Sequence, residues 1–376
     1  MSSKRPSTFF LSAAALLAIS ASVSAIPAGR VEERTSLGLF DDVLLFDSPA
    51  VISNSSRVQV QAYTFLRQFD IDLGPITNVL ASALGGIDIA SLGDKAQNIA
   101  ERMKVFASIP KSGKDVVVEI EGCGTVTLQP TSSDVDGISV TDVKCLSKLT
   151  SAAPRTAQVS LGSREVSARV FPSPIDGFGV ISDVDDTIKI SNVLDKVKLV
   201  MNTFVEEPQP VAGMPALYAS LQTSLNQPLF SYISGSPFHL FPFLDEFIGN
   251  TYPDGPKFLR NLTIFDLPKL VETLTDKQNT FKHKTAVIDR LVDLYPKKKF
   301  VMIGDSTEQD PEIYAAAFAR HPASVQCIWV RVVDGADNAA ERFATAFAAV
   351  PAAKVRKYTD EDIPGLQKIN VAGGKC

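Results

Sequence analysis

The apolar and polar positions of the chain follow different patterns on either side of about residue 175. Between residues 40 and 172, short runs alternate between apolar and polar positions with a period of two, and Gly, Pro, Ser and Asp lie between the runs. Such alternation is typical of strands that bury one face. The runs cover residues 58–65, 116–120, 125–128, 157–161 and 166–170. This pattern predicts a β-rich accessory domain over residues 40–172.

A helical insertion is predicted within this domain. Residues 76–106 contain Ala- and Leu-rich stretches at helical spacing, interrupted by Gly85, Gly86 and Gly93. The domain ends at residues 172–177, where two prolines and a glycine predict a linker.

Beyond the linker, continuous apolar runs alternate with helical patterns. The runs cover residues 177–182, 228–233, 299–303 and 325–333. Continuous runs are typical of strands buried on both faces of a parallel sheet. One helix is predicted from Lys284 to about Leu294. We therefore predict an α/β domain with a doubly wound parallel sheet over residues 177–350, followed by a C-terminal tail over residues 351–376.

The N-terminus has the pattern of an export signal. Lys4 and Arg5 precede an apolar run at residues 9–21, and small residues precede a potential cleavage site after Ala25. An uncleaved anchor is the alternative, but the run is shorter than the roughly 20 apolar residues of a membrane span. We predict a signal peptide over residues 1–25 and a secreted or lumenal protein, in which Asn54 and Asn261 are glycosylation sites.

Charge and cysteine content narrow the possibilities further. The chain has 37 basic and 42 acidic side chains, a net charge of −5, so we expect no nucleic-acid partner. Cys123 and Cys145 lie in the same β-like region and are candidates for a disulfide. Cys327 lies inside an apolar run, which favours a buried thiol.

Acidic residues follow two of the predicted strands. Asp183, Asp185 and Asp186 follow the first, and Asp305 ends another, with Asp310 five residues later. Carboxylates so close together repel one another unless a cation compensates them, so a Mg²⁺ site is the simplest explanation. The alternatives are an acidic surface turn and, for Asp310, a helix N-cap.

A third predicted strand ends at Ser234. Gly235, Ser236 and Pro237 follow it, and a hydroxyl beside a helix N-terminus is suited to an anion. An ordinary turn has the same composition.

In chain order, these residues resemble the motifs of the haloacid-dehalogenase superfamily of phosphotransferases: Asp183/Asp185, Ser234, Lys284 and Asp305/Asp310. More narrowly, residues 177 to about 333 resemble the catalytic domain of the actin-patch-type phosphatidate phosphatases. The resemblance rests on residues 180–189, 202–206, 213–215, 234–237, 241–244, 283–284 and 304–314. Thr307 stands where that family usually has Gly, and Asn261 where Asp is common.

The resemblance implies a haloacid-dehalogenase-like sheet with a small cap and assigns a role to each motif residue. Asp183 is the nucleophile, and Asp185 protonates the leaving oxygen and then activates water. Lys284 is the third catalytic residue and neutralises the phosphoryl oxygens. Ser234, Thr187 and Gly235 bind substrate, and Thr187 also holds the nucleophile loop. Mg²⁺ is held by Asp183, Asp185 (through its carbonyl), Asp305 and Asp310.

The implied function is a Mg²⁺-dependent phosphatidate phosphatase acting on a phospholipid phosphate at a membrane surface. A phosphatase of small soluble phosphomonoesters and a non-catalytic Mg²⁺- and phospholipid-binding module are the alternatives. The chain between the motifs is too short for a large cap, which favours an open site. Apolar residues near the motifs form either a rim that meets acyl chains or part of the core: residues 199–204, Pro208, Pro210, Met214, Phe238 and Phe241.

Overall fold

The computed structural model describes residues 35–38, 40–66, 78, 80, 81, 84, 86, 89–129, 137–261 and 276–376. The predicted signal peptide and its cleavage site lie outside the described residues, as does part of the helical insertion. Residues Arg34–Cys376 form one compact unit. Among the described residues, no helix combines the length and the apolar character needed to cross a bilayer.

The first half of the described chain forms β-structure. Its strands are β1 (Thr35–Ser36), β2 (Asp41–Leu45), β3 (Ser48–Ile52), β4 (Arg57–Leu66), β5 (Ile109–Pro110), β6 (Lys114–Asp115), β7 (Val117–Ile120), β8 (Gly124–Thr127), β9 (Ile138–Lys144), β10 (Arg155–Leu161) and β11 (Arg164–Pro174). Nine of these described strands form one sheet in the order β2-β4-β3-β11-β10-β7-β8, with β5 and β9 paired to β4. Strands β1 and β6 pair separately.

Alternation in the sequence produces the core of this first sheet. Val58, Val60 and Ala62 of β4 are buried, whereas the residues between them are half-buried, as expected when successive side chains point to opposite faces. Cys123 and Cys145 pack in the same core and form a disulfide, which confirms the pairing considered from the sequence. The described part of the helical insertion contains a 3₁₀ turn, Ile89–Leu92, and helix α1, Lys95–Met103.

The second half contains a six-stranded parallel sheet. Its strands are β12 (Phe178–Asp183), β13 (Leu229–Pro237), β14 (Lys257–Arg260), β15 (Lys299–Asp305), β16 (Val325–Arg331) and β17 (Val355–Tyr358). Their order is β14-β13-β12-β15-β16-β17, and every neighbouring pair is parallel. The α/β class with a parallel sheet, predicted from the continuous apolar runs, is confirmed. The strand order reverses between β12 and β15, the place where sheets of this kind bind ligands.

Helices cover both faces of the parallel sheet. They are α2 (Lys196–Val200), a π-helix (Met201–Val205), α3 (Met214–Ser224), a 3₁₀ turn (Phe238–Leu240), α4 (Phe241–Thr251), α5 (Lys277–Leu294), α6 (Asp310–Arg320), α7 (Ala340–Ala346), two further 3₁₀ turns (Ala352–Lys354 and Asp360–Asp362) and α8 (Ile363–Leu366). Helix α5 begins at Lys277, seven residues before the predicted start. The reason is Asp276, whose side chain caps the helix by accepting a hydrogen bond from the Asn279 N–H.

The segment predicted as a C-terminal tail, residues 351–376, packs against the parallel sheet. It supplies edge strand β17 and ends at Cys376, which forms a disulfide with Cys327. The prediction of a buried thiol at Cys327 was therefore wrong, because the chain returns to β16 from 49 residues away. The Trp329 indole N–H also donates a hydrogen bond to the Cys376 carbonyl at 3.2 Å, which holds Cys376 beside β16.

Removing this disulfide should destabilise the protein. The bond closes a loop of 49 residues, and loop-closure entropy predicts that Cys327→Ser/Cys376→Ser lowers the free energy of unfolding by about 4 kcal/mol. Denaturant titration of the oxidised protein and the variant measures the difference. When both proteins are reduced, neither contains a disulfide. The wild type and the variant should then unfold at similar denaturant concentrations. A variant as stable as the oxidised protein would contradict the prediction.

An ion cluster joins the two sheets. The Lys257 ammonium, fully buried on β14, lies 2.9 Å from Asp47, 2.7 Å from Asp245 and 2.9 Å from Asp254. Arg169 of β11 contacts the same three carboxylates. Arg169 belongs to the first sheet, Asp47 lies in the turn between its strands β2 and β3, and the other three residues belong to the second half of the chain. This inter-sheet cluster therefore fixes the first sheet against the second half of the chain.

Candidate active site

The carboxylate of Asp183 lies at the end of β12, at the point where the strand order reverses. One oxygen, Oδ1, accepts a hydrogen bond from the Lys284 ammonium at 2.6 Å. The other, Oδ2, is buried and has no hydrogen-bond partner within the described part of the chain. Only 1% of the Asp183 surface is exposed. A buried carboxylate oxygen without a donor is energetically costly, so its position indicates a ligand or a reacting group.

The Lys284 ammonium lies at the centre of a group of carboxylates. Besides Asp183, it contacts Asp310 at 2.7 Å and Glu308 at 3.0 Å. Burial alone would lower the pKa of Lys284, but these three carboxylates hold the pKa well above its usual value. The side chain is therefore positively charged.

Three buried acids form a potential metal site. Ligand oxygens of Asp183, Asp305 and Asp310 lie within 4.8 Å of one another. Asp305 is oriented by the Thr307 N–H at 2.5 Å, the Thr307 hydroxyl at 2.6 Å and the Thr187 hydroxyl at 3.0 Å. Burial and the neighbouring Asp310 raise the pKa of Asp305 to about 7. The same two causes raise the pKa of Asp183.

This donor set fits a divalent cation. The carboxylates of Asp183, Glu308 and Asp310 contact the Lys284 ammonium, and Asp305 lies beside two of them. The excess negative charge and the unpartnered Asp183 Oδ2 are both satisfied by a cation with oxygen ligands. A cation at this position would also keep Asp183 and Asp305 ionised at neutral pH, against the effect of burial.

The Asp185 carboxylate makes four contacts of its own outside this triad. Its Oδ1 accepts from the Ser191 hydroxyl at 2.6 Å and the Lys189 ammonium at 3.4 Å, and its Oδ2 accepts from the hydroxyls of Ser234 at 2.8 Å and Ser236 at 3.1 Å. Burial alone would raise the pKa of Asp185, but these donors hold the pKa below its usual value. Metal binding through the Asp185 carbonyl stays a prediction.

The residues predicted to bind substrate lie at the same end of the sheet. The Ser234 hydroxyl contacts Asp185, and the Thr187 hydroxyl contacts Asp305. A Cβ atom at Gly235 would come within 2.9 Å of the Thr280 side chain on α5, which explains the glycine at this crossing. Substrate contacts by these residues stay predictions.

Asp186 organises the loop after β12. Its backbone has a φ of 56°, and its carboxylate accepts hydrogen bonds from the N–H groups of Ser191, Asn192 and Val193 at 2.7–2.9 Å. The Asp186 carbonyl accepts from Arg331 at 2.6 Å. These contacts fix the loop that carries Asp183 and Asp185.

Sequence reasoning missed several residues of the site. Glu308 lies between Asp305 and Asp310, and Ser236 directly follows Gly235. Both therefore lie inside motifs that the sequence had already indicated. Lys189 also lies inside an identified motif, residues 180–189, whereas Ser191 had no such signal, because only the folded loop brings it to Asp185.

A small cavity adjoins the site. A cavity of about 10 Å³ is lined by Asp185, Val193, Leu199, Gly235, Ser236 and Glu308. This volume holds about one water molecule. The larger cavity beside α1 and α4, about 490 Å³, contains none of the predicted site residues.

The apolar rim considered from the sequence is part of the core. Leu199, Phe204, Met214, Phe238 and Phe241 are each at most 5% exposed and pack in one hydrophobic cluster. The core alternative is therefore confirmed for these side chains, and they are not available to acyl chains.

Comparison with known proteins agrees with the geometry. Residues 178–332 match the family model described as phosphatidate phosphatase APP1, catalytic domain. This part of the chain is therefore similar to that family of catalytic domains. The matched range includes every predicted site residue from Asp183 to Asp310.

Two curated relatives match a similar length of the chain. Phosphatidate phosphatase APP1 of Saccharomyces cerevisiae is 31% identical over 158 residues, which is 41% of this chain and 26% of the relative. An uncharacterized protein of Schizosaccharomyces pombe is 28% identical over 163 residues, which is 42% of this chain and 26% of the relative. The match therefore spans about a quarter of the length of each relative.

Proposed function

We propose that the protein is a Mg²⁺-dependent phosphatidate phosphatase that works through an aspartyl phosphate on Asp183. The observation that carries the proposal is the position of Asp183: one oxygen is held by Lys284 and the other is unpartnered beside Asp305 and Asp310. The family match and the similarity to the phosphatidate phosphatase of S. cerevisiae support it. We also propose a haloacid-dehalogenase-like fold with a small cap, supported by the strand order and by the acids at the ends of β12 and β15.

Each residue has a defined part in the proposed reaction. Asp183 Oδ2 attacks the phosphorus atom, and the bond from phosphorus to the glyceride oxygen breaks as Asp185 donates a proton to that oxygen. Water then attacks the aspartyl phosphate while Asp185 accepts its proton, which releases inorganic phosphate and restores Asp183. Lys284 neutralises the phosphoryl oxygens. The carboxylates of Asp183, Asp305 and Asp310 would hold Mg²⁺, which supplies charge compensation for the phosphate.

The hydroxyls of Ser234 and Ser236 link substrate binding to Asp185. Without substrate, both donate to the Asp185 carboxylate. A phosphoryl oxygen is a competing acceptor for them. Once they turn to the phosphate, Asp185 loses two of the donors that favour its charged form. The protonated form of Asp185 is then more favourable, and its proton is available for the leaving oxygen.

The proposal predicts Mg²⁺-dependent phosphate release from phosphatidate or lysophosphatidate. Purified protein is assayed in mixed micelles with Mg²⁺ and with EDTA, beside glycerol phosphate at equal concentration. We expect activity only with the metal, and a rate that follows the surface concentration of lipid. Equal turnover of glycerol phosphate without surface dilution would favour the soluble-substrate alternative. Mg²⁺ binding with no turnover of either compound would favour the non-catalytic module.

We further propose that the protein is exported. Its two disulfides support this, because such bonds persist mainly in oxidising compartments. Both Asn54 and Asn261 are exposed. Protein secreted from a eukaryotic host should begin near Ile26 and carry glycan at one or both sites, which intact-mass measurement before and after glycosidase treatment detects. An unglycosylated cytosolic protein that keeps Met1 would overturn the proposal.

A further inference from the structure

Three large apolar side chains are exposed within one stretch of eight residues, which follows the loop that carries Asp185. Ile190 is 40% exposed, Leu194 48% and Val197 46%. They lie in residues 190–198, which we call the rim segment and which begins three residues after Thr187. Single exposed apolar residues are common on protein surfaces, but a group of them in one short segment is typical of a binding surface.

The backbone of the rim segment is firmly held. The Asp186 carboxylate binds three of its N–H groups, those of Ser191, Asn192 and Val193. Asp195 caps α2 by accepting from the N–H groups of Val197 and Lys198 at 3.1 Å. Because hydrogen bonds fix the backbone, the structure presents the apolar side chains in a fixed arrangement.

The rim segment adjoins the active site. Val193, within the segment, and Leu199, directly after it, line the small cavity together with Asp185 and Glu308. A substrate phosphate that binds beside Asp185 therefore lies close to the segment. Its exposed residues are well placed to meet the surface from which such a substrate comes.

Basic side chains accompany the apolar ones. Lys196 and Lys198 are both exposed, and the Lys198 ammonium is 3.8 Å from the Asp195 carboxylate. Exposed apolar residues beside lysines are suited to an anionic lipid surface, since the apolar groups enter the interface and the ammonium groups attract the headgroups.

We propose that the rim segment inserts Ile190, Leu194 and Val197 into the surface of an anionic bilayer and so places the active site beside the lipid. The inference rests on the proposed phosphatidate phosphatase activity, but it concerns a surface that is separate from the catalytic residues. The occupant is a lipid bilayer, because the proposed substrate is an anionic lipid and the lysines match its charge.

A matched pair of triple variants tests this surface. Ile190→Ser/Leu194→Ser/Val197→Ser removes the apolar groups of the rim segment. Ile109→Ser/Val117→Ser/Leu146→Ser removes three side chains from the first half of the chain that are 53%, 49% and 83% exposed. Both variants are compared with the wild type for sedimentation with phosphatidylcholine vesicles that contain phosphatidate, for phosphate release from those vesicles, and for hydrolysis of p-nitrophenyl phosphate.

The rim variant should lose vesicle binding and activity on vesicles by about tenfold or more, whereas its rate on p-nitrophenyl phosphate stays unchanged. The matched control should keep all three properties. Equal vesicle binding by the two variants would overturn the proposal, as would a loss of activity on both substrates with normal binding. If the wild type hydrolyses neither substrate, the proposed function fails, but the vesicle-binding comparison still decides the inference.

A spectroscopic variant makes the test independent of the triple substitution. The chain contains a single tryptophan, Trp329, which is fully buried. Fluorescence of Leu194→Trp should therefore shift to shorter wavelength when the phosphatidate-containing vesicles are added, whereas that of Leu146→Trp should not. No shift for Leu194→Trp, or the same shift for both variants, would overturn the proposal. Saturable binding of a soluble protein to the rim segment, without a response to vesicles, would also overturn it.

Discussion

Asp183→Asn should abolish phosphate release from every phosphomonoester that the protein hydrolyses, with kcat reduced by about 10³-fold or more. The substitution keeps the volume of the side chain but replaces the nucleophilic carboxylate by an amide. The neighbours Lys284, Asp305 and Asp310 remain in place, so the fold should be retained. Steady-state kinetics measure the loss, and trapping of phosphorylated wild-type protein in acid identifies the intermediate.

The control for this variant is Asp289→Asn. Asp289 pairs with Arg320 and His321 on the surface, and neither of these partners is a predicted site residue. It should keep wild-type turnover. More than a few per cent of activity in Asp183→Asn, or a phosphorylated Asp183→Asn protein, would show that Asp183 is not the nucleophile.

Lys284→Met should affect both stability and activity. Loss of the ammonium leaves Asp183, Glu308 and Asp310 buried without their shared partner. Removal of one member of a buried ion pair typically lowers the free energy of unfolding by about 3–5 kcal/mol. Turnover should fall at least about 100-fold, because no positive side chain then offsets the charge of the phosphoryl group. Denaturant titration and phosphate-release assays measure the two effects.

Lys282→Met is a close control, because Lys282 lies on the same helix and is exposed. It should change neither quantity appreciably. A second check is the double variant Lys284→Met/Asp310→Asn, which should recover part of the lost stability because one unpaired carboxylate is removed. If Lys284→Met were as stable and active as Lys282→Met, the charge balance inferred for the site would be wrong.

The centre of the parallel sheet and its acids were predictable from local sequence. Strands β12, β13, β15 and β16 are continuous apolar runs, since each is covered by helices on both faces. Parallel strands place their carboxyl ends at one edge, so Asp183, Ser234 and Asp305 could be predicted to meet before any distance was known.

Other features depend on contacts between distant parts of the chain. Edge strands β14 and β17 have four residues each, too short for a distinct pattern. The partner of Cys327 lies 49 residues away. Residues 199–204 and the rim segment both contain several apolar side chains, and only packing buries Leu199 and Phe204 while leaving Ile190, Leu194 and Val197 exposed. Composition alone does not distinguish a core residue from one that meets a partner.

The inter-sheet cluster determines how small a working fragment can be. A fragment cut to the matched range, residues 178–332, would keep Lys257, Asp245 and Asp254 but lose Asp47 and Arg169. It would also lose edge strand β17 and expose the side of β16 that now pairs with it. The region that resembles its relatives is therefore smaller than the region that must fold together. We expect efforts to excise the catalytic domain to yield insoluble protein unless the first sheet and residues 333–376 are kept.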